Sequence, residues 1–342
     1  MAMQDREALE SLVRRLPKAE LHVHLEGTLE PELALRIAER NALSAPFPSV
    51  DAARAAYHFE NLQSFLDVYY TMTDVLRTEQ DFYDLTWAYL TNAATQNIRH
   101  VELFFDPQAH LSRGIPFGIF IAGILLALED AETHLGVTSR LIMCFLRDQP
   151  VEDAARVLAT AHLYRDRIAG VGLDSAEAGY PPQLFKDVFD QAAAYGMHRV
   201  AHAGEEGPPA YIAEAIDVLG AERIDHGVRC LEDPALVDRL VRERVPLTVC
   251  PLSNVRLRVV PSLADHPLKR MLDAGLLVTV NSDDPAYFGG YLVENYVEAA
   301  LALRLTRDEI VTLVENSFTA SFLSDEAKAA HIEAVRAAAA LP

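Results

Sequence analysis

The stretch AELHVHLEG, residues 19–27, sets two histidines one residue apart in an apolar run and follows them with a glutamate and a glycine. In an extended chain successive side chains leave on opposite faces, so His22 and His24 share one face while Leu21, Val23 and Leu25 take the other. Two ring nitrogens side by side on a strand are half the donor set of a metal site. They are equally a pair of surface or hydrogen-bonded core histidines, and only the rest of the chain decides between the two.

Seven further short, apolar, β-branched runs end in polar or glycine-rich residues: RHVELFF (99–105), SRLIMCFL (139–146), AGVGLDS (169–175), HRVAHAG (198–204), ERIDHG (222–227), PLTVCPL (246–252) and LLVTVNS (276–282). Helix-period stretches lie between most of them, such as residues 150–167, 182–196, 208–220 and 233–245. Alternating strand and helix calls for a parallel sheet. Eight units between residues 19 and 285 match a closed (β/α)8 TIM barrel, and no Gly-x-Gly-x-x-Gly follows the first run to support an open dinucleotide-binding sheet. The whole of 1–342 reads as a single domain. The interval 31–97 is too long for an ordinary connection and is expected to be a helical insertion over the first strand end, a natural lid position. Residues 291–340 are expected to be extra helices packed on the barrel.

Composition narrows the function. Half of the 342 residues are hydrophobic and 23% charged, as in an ordinary globular protein. A net charge of −20 argues against nucleic acid or an anionic membrane as partner, since both demand a basic surface. The three cysteines, Cys144, Cys230 and Cys250, are odd in number and far apart, which fits a reducing cytoplasm rather than a disulfide framework. The first sixteen residues read as a short amphipathic helix and not as a signal peptide. The apolar stretch 115–128 is broken by Gly118 and Gly123 and is too short to span a bilayer.

In a barrel of this kind reactive side chains gather at the C-terminal strand ends. Strand one ends in His22 and His24, strand five in His202 with Glu205 beyond it, strand six in Asp225 and His226, strand eight in Asp283 and Asp284. Each alone has a mundane reading: a capping histidine, a turn, or a helix N-terminus in NSDDP. Their joint fall at one mouth is what carries weight. His22, His24, His202 and Asp283 form a mixed nitrogen and oxygen set suited to one Zn²⁺ with a position open for water, whose pKa the cation would lower towards ~7. No Cys-x-x-Cys is present, which excludes the cysteine-ligated zinc deaminase pattern.

The ordered stretches PKAELHVHLEGTL, HAGEE, RIDHG, PLSN and NSDDP resemble the adenosine and adenine deaminases of the amidohydrolase superfamily. The resemblance implies that His22, His24, His202 and Asp283 are the metal ligands and that Glu205 is the proton donor to N1 of an aminopurine. It makes His226 the residue that orients and deprotonates the metal-bound water, and Asp284 the partner of N7. The chemistry agrees: attack at C6 is unfavourable unless N1 takes a proton, so a carboxylic acid with a raised pKa must face it. Ser253 and Asn254 of PLSN are expected to support the site rather than react. Leu62, Phe65, Leu66 and Tyr69 recur at helical spacing where the family carries a hydrophobic gate.

Two departures from the adenosine-specific pattern point to the adenine branch. Glu26 stands where adenosine deaminases carry aspartate, and in GLDSAEAGYPP Glu177 stands at a position where they present glycine. FFDPQAHLSRGI after strand two is also like the adenine branch. Glu26, Glu177 and Gly179 are therefore expected at the substrate, with Glu177 accepting an N–H that exists only without ribose. The resemblance implies purine salvage in the cytoplasm and a small-molecule purine as partner, and leaves the oligomeric state open. Adenosine, an N6-substituted adenine or another modified nucleoside is the alternative substrate; a silent barrel or an amide-cleaving amidohydrolase is a more distant reading.

Overall fold

The computed structural model describes residues 2–341. Eight strands run Lys18–His24 (β1), Ile98–Phe105 (β2), Thr138–Leu146 (β3), Gly170–Asp174 (β4), His198–Ala203 (β5), Arg223–His226 (β6), Leu247–Val249 (β7) and Val278–Val280 (β8). They pair in that order and every pair is parallel. All eight expected strands are present. The circle closes just past β8, where Asp283 bridges to Val23: the His24 N–H donates to the Asp283 carbonyl at 2.9 Å and the Asp283 N–H to the His22 carbonyl at 3.1 Å.

β1 is buried along its whole length, as expected of a parallel strand covered on both faces. Its histidine face points into the barrel, where His22 and His24 both pack 5.1 Å, centroid to centroid, from the Phe104 ring. Phe104, Ile142, Cys144 and Val200 form an apolar floor beneath them. Also in the interior, Arg223 pairs with Glu102, donates to the Leu21 carbonyl at 3.0 Å and lies 4.8 Å over the Phe322 ring.

The crossover helices form where the sequence supplies both an apolar stripe and terminal caps. In Pro234–Glu243, Asp233 accepts from the Ala235 and Leu236 N–H groups, proline opens the first turn, Leu236 and Leu240 face inward, and Arg244 ends the helix in the left-handed region.

The interval 31–97 holds four helices, Pro31–Arg40, Val50–Ala55, Leu62–Thr73 and Glu79–Thr95. The last of these is not part of a lid. It packs along Phe117–Leu135 and β2 as the ordinary crossover helix of the first unit. Gly123 allows that approach, since a Cβ there would sit 2.1 Å from the Glu79 carbonyl oxygen. Helical periodicity alone does not separate a barrel helix from a covering one, so the expected insertion runs too far.

Three C-terminal helices follow, Leu292–Leu303, Arg307–Thr319 and Asp325–Ala339. Ser317 accepts from the Ala19 N–H at 3.0 Å and Asn316 donates to the Val278 carbonyl at 2.9 Å, fastening the middle helix to β1 and β8.

Candidate active site

The direction of hydrogen bonds around the histidines shows which ring nitrogens are left for other work. The Thr248 hydroxyl donates to Asp225 Oδ1 at 2.7 Å, so it must accept from His22 Nδ1, 2.9 Å away. That places a proton on His22 Nδ1 and turns Nε2 to Asp283 Oδ1, 3.2 Å away, where burial opposes the charged ring but the Asp283 carboxylate raises its pKa above the ordinary value. His202 Nδ1 faces Asp225 Oδ2 at 3.6 Å and His24 Nδ1 faces Asp174 Oδ2 at 3.6 Å. Their Nε2 atoms therefore also point inward, 3.2 Å from one another.

The two nitrogens face each other at hydrogen-bond distance, and a divalent cation would be held by both. Burial and the surrounding rings hold His202 well below its ordinary pKa, and burial lowers His24 to about 4, so both rings favour the neutral form that a metal ligand needs. Burial opposes ionisation of Asp283, yet the His22, His226 and His24 rings hold its carboxyl well below the usual range. Donor atoms of His22, His202, His226 and Asp283 lie within 4.8 Å of one another, and those of His24 do so with Asp283 and Asp284. Neutral imidazoles and an ionised carboxylate are the donor set a borderline divalent cation takes. The three cysteines are buried free thiols, and burial raises the thiol pKa of Cys250 and Cys144. His226 and Asp283 both sit in the left-handed region, at φ 63° and 64°, a backbone cost characteristic of functional positions.

Glu205 reaches the cluster from the turn after β5. Its Oε2 lies 3.5 Å from His226 Nε2, and its Oε1 is buried without a partner. Burial, then the charges of Asp283 and Glu177, push its carboxyl well above the ordinary range, which favours the protonated acid.

Glu177 does not face the substrate. Its two carboxylate oxygens accept the backbone N–H groups of Gly204, Glu205, Glu206 and Gly207 at 2.7, 3.0, 2.8 and 2.8 Å. A carboxylate so occupied has no capacity for a purine N–H, and the sequence-based expectation fails on that ground. Its work is to hold the HAGEEG turn that presents Glu205. Gly179 also falls away from the site: it is exposed, at φ 87°, in the turn where the Tyr180 N–H returns to the Glu177 carbonyl.

Asp284 stands beside Asp283, and burial together with Asp283 raises its carboxyl well above the ordinary range. Gly27 is what leaves room for it, since a Cβ there would lie 1.9 Å from Asp284 Oδ1. Glu26 is buried; its Oε1 meets His110 Nε2 at 2.6 Å and the Asp106 N–H at 3.2 Å, while Oε2 has no partner. Burial opposes its ionisation, but the hydrogen bond from His110 brings its pKa below normal. Arg113 in turn donates to His110 Nδ1 at 2.5 Å. Burial raises Asp106 well above the ordinary range and Asp174 to about 7.

Leu62, Phe65, Leu66 and Tyr69, on the helix Leu62–Thr73, line the cavity together with His24, His202, His226, Glu205, Asp283 and Asp284. That helix is tied to the segment just after Asp284 by ring contacts, Phe65 to Phe288 at 4.7 Å and Tyr69 to Tyr287 at 5.8 Å. Tyr70 and Leu146 separate the cavity from a larger open groove that contains none of the donor residues.

Thr248, Asp106, Asp174, His110, Arg113 and His266 were not singled out from sequence. Asp225 was seen only as a strand-end neighbour. A signal existed for some of them: FFDPQAHLSRGI carries Asp106, His110 and Arg113 at the end of β2, where barrel chemistry is expected.

A family model described as adenosine deaminase matches residues 17–338. An adenine deaminase of Streptomyces coelicolor is 62% identical over 311 residues, 91% of this chain and 92% of the relative. One from Cupriavidus necator is 58% identical, over 94% of this chain and 92% of its own. Among solved structures, adenine deaminase from Arthrobacter aurescens superposes with a TM-score of 0.93 at 52% identity, covering 94% of this chain and 98% of that one. An amidohydrolase from Burkholderia ambifaria with bound Zn gives 0.88 at 28% identity, over 96% and 92%. This chain belongs to the adenosine deaminase family.

Proposed function

We propose that the chain catalyses hydrolytic deamination of adenine to hypoxanthine and ammonia in purine salvage, with one Zn²⁺ per chain held by His22, His24, His202 and Asp283. The observation that carries the reading is the meeting, at one cavity, of that donor set with two buried carboxyls, Glu205 and Asp284, whose pKa values burial raises well above the ordinary range. The bound cation would supply Lewis acidity, making water nucleophilic at neutral pH.

The side chains divide the remaining work. Glu205 gives its proton to N1 as C6 becomes tetrahedral, which keeps negative charge from building on the ring. Asp284, a hydrogen-bond donor while protonated, pairs with N7 and fixes the ring plane. His226, 3.5 Å from Glu205 and 3.8 Å from Asp283, steadies the attacking oxygen. Leu62, Phe65, Leu66 and Tyr69 exclude water that would compete for these groups. The amino group leaves as ammonia and the ring becomes the 6-oxopurine.

Preference for the free base is supported by Glu26 alone of the acids first assigned to it. Its Oε1 is taken by His110 and the Asp106 N–H while its Oε2 is buried without a partner, and an acceptor oxygen left over in this way would reward a ligand N–H that a ribosylated purine lacks. Identities of 56–62% to relatives named adenine deaminase support the same substrate. Three free buried cysteines fit a reducing compartment, and no helix among the described residues is long and apolar enough to cross a membrane.

Ammonia release from zinc-loaded protein, given adenine and adenosine side by side, tests the reading. Adenine turnover with little from adenosine is expected. Turnover of adenosine at a similar rate would refute the selectivity assigned to Glu26, and turnover of neither would refute the substrate class.

A further inference from the structure

His226 is joined to the backbone of a distant helix by a chain of hydrogen bonds whose direction can be worked out from its far end. The Leu268 N–H, at the start of the helix Leu268–Asp273, donates to His266 Nδ1 at 3.1 Å. A backbone amide is always a donor, so His266 Nδ1 is an acceptor and the ring proton is on Nε2. That Nε2 lies 3.1 Å from Asn254 Oδ1, which must accept. The Asn254 amide is thereby oriented, and its NH₂ faces His226 Nδ1 at 3.3 Å. His226 Nδ1 is then an acceptor too, and the His226 proton belongs on Nε2, the nitrogen that faces Glu205 and Asp283.

From this polarity we infer that Asn254 and His266 are positioning residues that hold His226 in its Nε2–H form, so that it enters the deaminase site as a hydrogen-bond donor. Asn254 is fully buried and His266 is 2% exposed, so water does not compete for either link. Burial lowers His266 to about 4, which agrees with a neutral ring. The inference rests on the deamination reading only for what the donor does there: an N–H from Nε2 steadies the attacking oxygen and cannot take the water's proton.

The sequence-based expectation gave His226 both tasks, orienting and deprotonating. With Nε2 already protonated, only the first remains to it. On that side Glu205 Oε2 lies 3.5 Å and Asp283 Oδ2 3.8 Å from His226 Nε2, and of the two Asp283 is the one held ionised. A balanced step has the water O–H bond break towards that carboxylate as the O–C6 bond forms. The same proton then departs on the amino nitrogen when the C6–N bond breaks, and the remaining hydroxyl proton passes to Glu205, which had given its own to N1, as the C6=O bond forms, so that Asp283 ends ionised and Glu205 protonated as at the start.

Two measurements test the assignment, and the first does not depend on substrate. In zinc-loaded protein labelled with ¹⁵N-histidine, the His226 ring should show a protonated Nε2 and an unprotonated Nδ1. A proton on Nδ1 would overturn the proposal whatever reaction the protein catalyses. Kinetically, His266→Leu removes the donor that orients Asn254, whereas His266→Gln retains an N–H at that place. His266→Leu should lose at least about tenfold in kcat, the scale of one hydrogen bond, with KM and zinc content within about twofold of the parent, and His266→Gln should recover most of the loss. Equal rates for the two variants, or a loss that follows zinc content or KM instead of kcat, would mean a merely structural role. Should His266→Leu not fold, the ring spectrum decides alone.

Discussion

Asp283 meets His22 twice, once through the backbone, where its N–H donates to the His22 carbonyl at 3.1 Å, and once through the side chain, where Oδ1 lies 3.2 Å from His22 Nε2. The first contact closes the barrel and the second builds the donor set. Closing the sheet and assembling the site are thus one structural event, because the segment that completes the circle carries the carboxylate.

Removing one donor should therefore cost metal before it costs fold. His202→Ala is expected to lose zinc and turnover together while the strands remain paired, since the proposal makes the His202 ring a ligand and the β-ladder uses only its backbone. Metal analysis and circular dichroism check this; full zinc occupancy in the variant would show the ligand set to be misread.

Glu205→Gln keeps the shape of the acid and removes its proton. We expect retained zinc and a kcat lower by ~10²–10⁴-fold, the usual worth of a positioned acid. Because burial raises the Glu205 pKa well above normal, the active protonated form persists through the acidic range, and kcat should fall on the alkaline side as pH rises through that raised value. A rate that instead climbs steadily with pH would remove Glu205 from the role.

Glu177→Gln tests the correction to the sequence-based assignment. Replacing one acceptor oxygen with an NH₂ sets donor against donor beneath the turn that holds Glu205, at a cost of about 1–3 kcal/mol. The melting temperature should drop and kcat with it, without any gain in adenosine turnover. A gain would return Glu177 to substrate selection.

Gly27→Ala should displace Asp284, whose Oδ1 would be 1.9 Å from the new Cβ. KM for adenine is expected to rise, with zinc still bound. An unchanged KM would indicate that Asp284 does not contact the purine.

The Arg223–Glu102 pair predicts an acid limb in the stability curve. Burial opposes ionisation of Glu102, but Arg223 and His100 lower its pKa to about 2. A carboxylate depressed in the folded state contributes stability that is present above its unfolded value, about 4.5, and is lost as pH falls through the folded value. Denaturant midpoints should fall between those two pH values, and Glu102→Gln should flatten that fall while costing about 3–5 kcal/mol at neutral pH. An equally steep acid limb in the variant would assign it to other groups.

The barrel was legible because a period-two histidine pair, glycine-ended apolar runs and intervening helical stripes are all local patterns. His22, His24, His202, Asp283, Glu205 and His226 lie within or just after strands, and a strand fixes the face of each side chain. Glu177 and Gly179 lie instead in a turn, where a carboxylate goes wherever free N–H groups are, and those were supplied by residues 204–207. The His266 and Thr248 contacts were illegible for a related reason: each depends on which segments the barrel brings together from far along the chain. The lid was drawn too long because Glu79–Thr95 has the same periodicity whether it covers a site or flanks a strand.

The central claim is most directly tested by stripping the metal, adding Zn²⁺ back in measured equivalents and following the ultraviolet change of adenine to hypoxanthine. Turnover should be absent without zinc, rise linearly and level off at one equivalent per chain. Undiminished turnover in the stripped protein, or none of adenine at full zinc loading, would contradict the account.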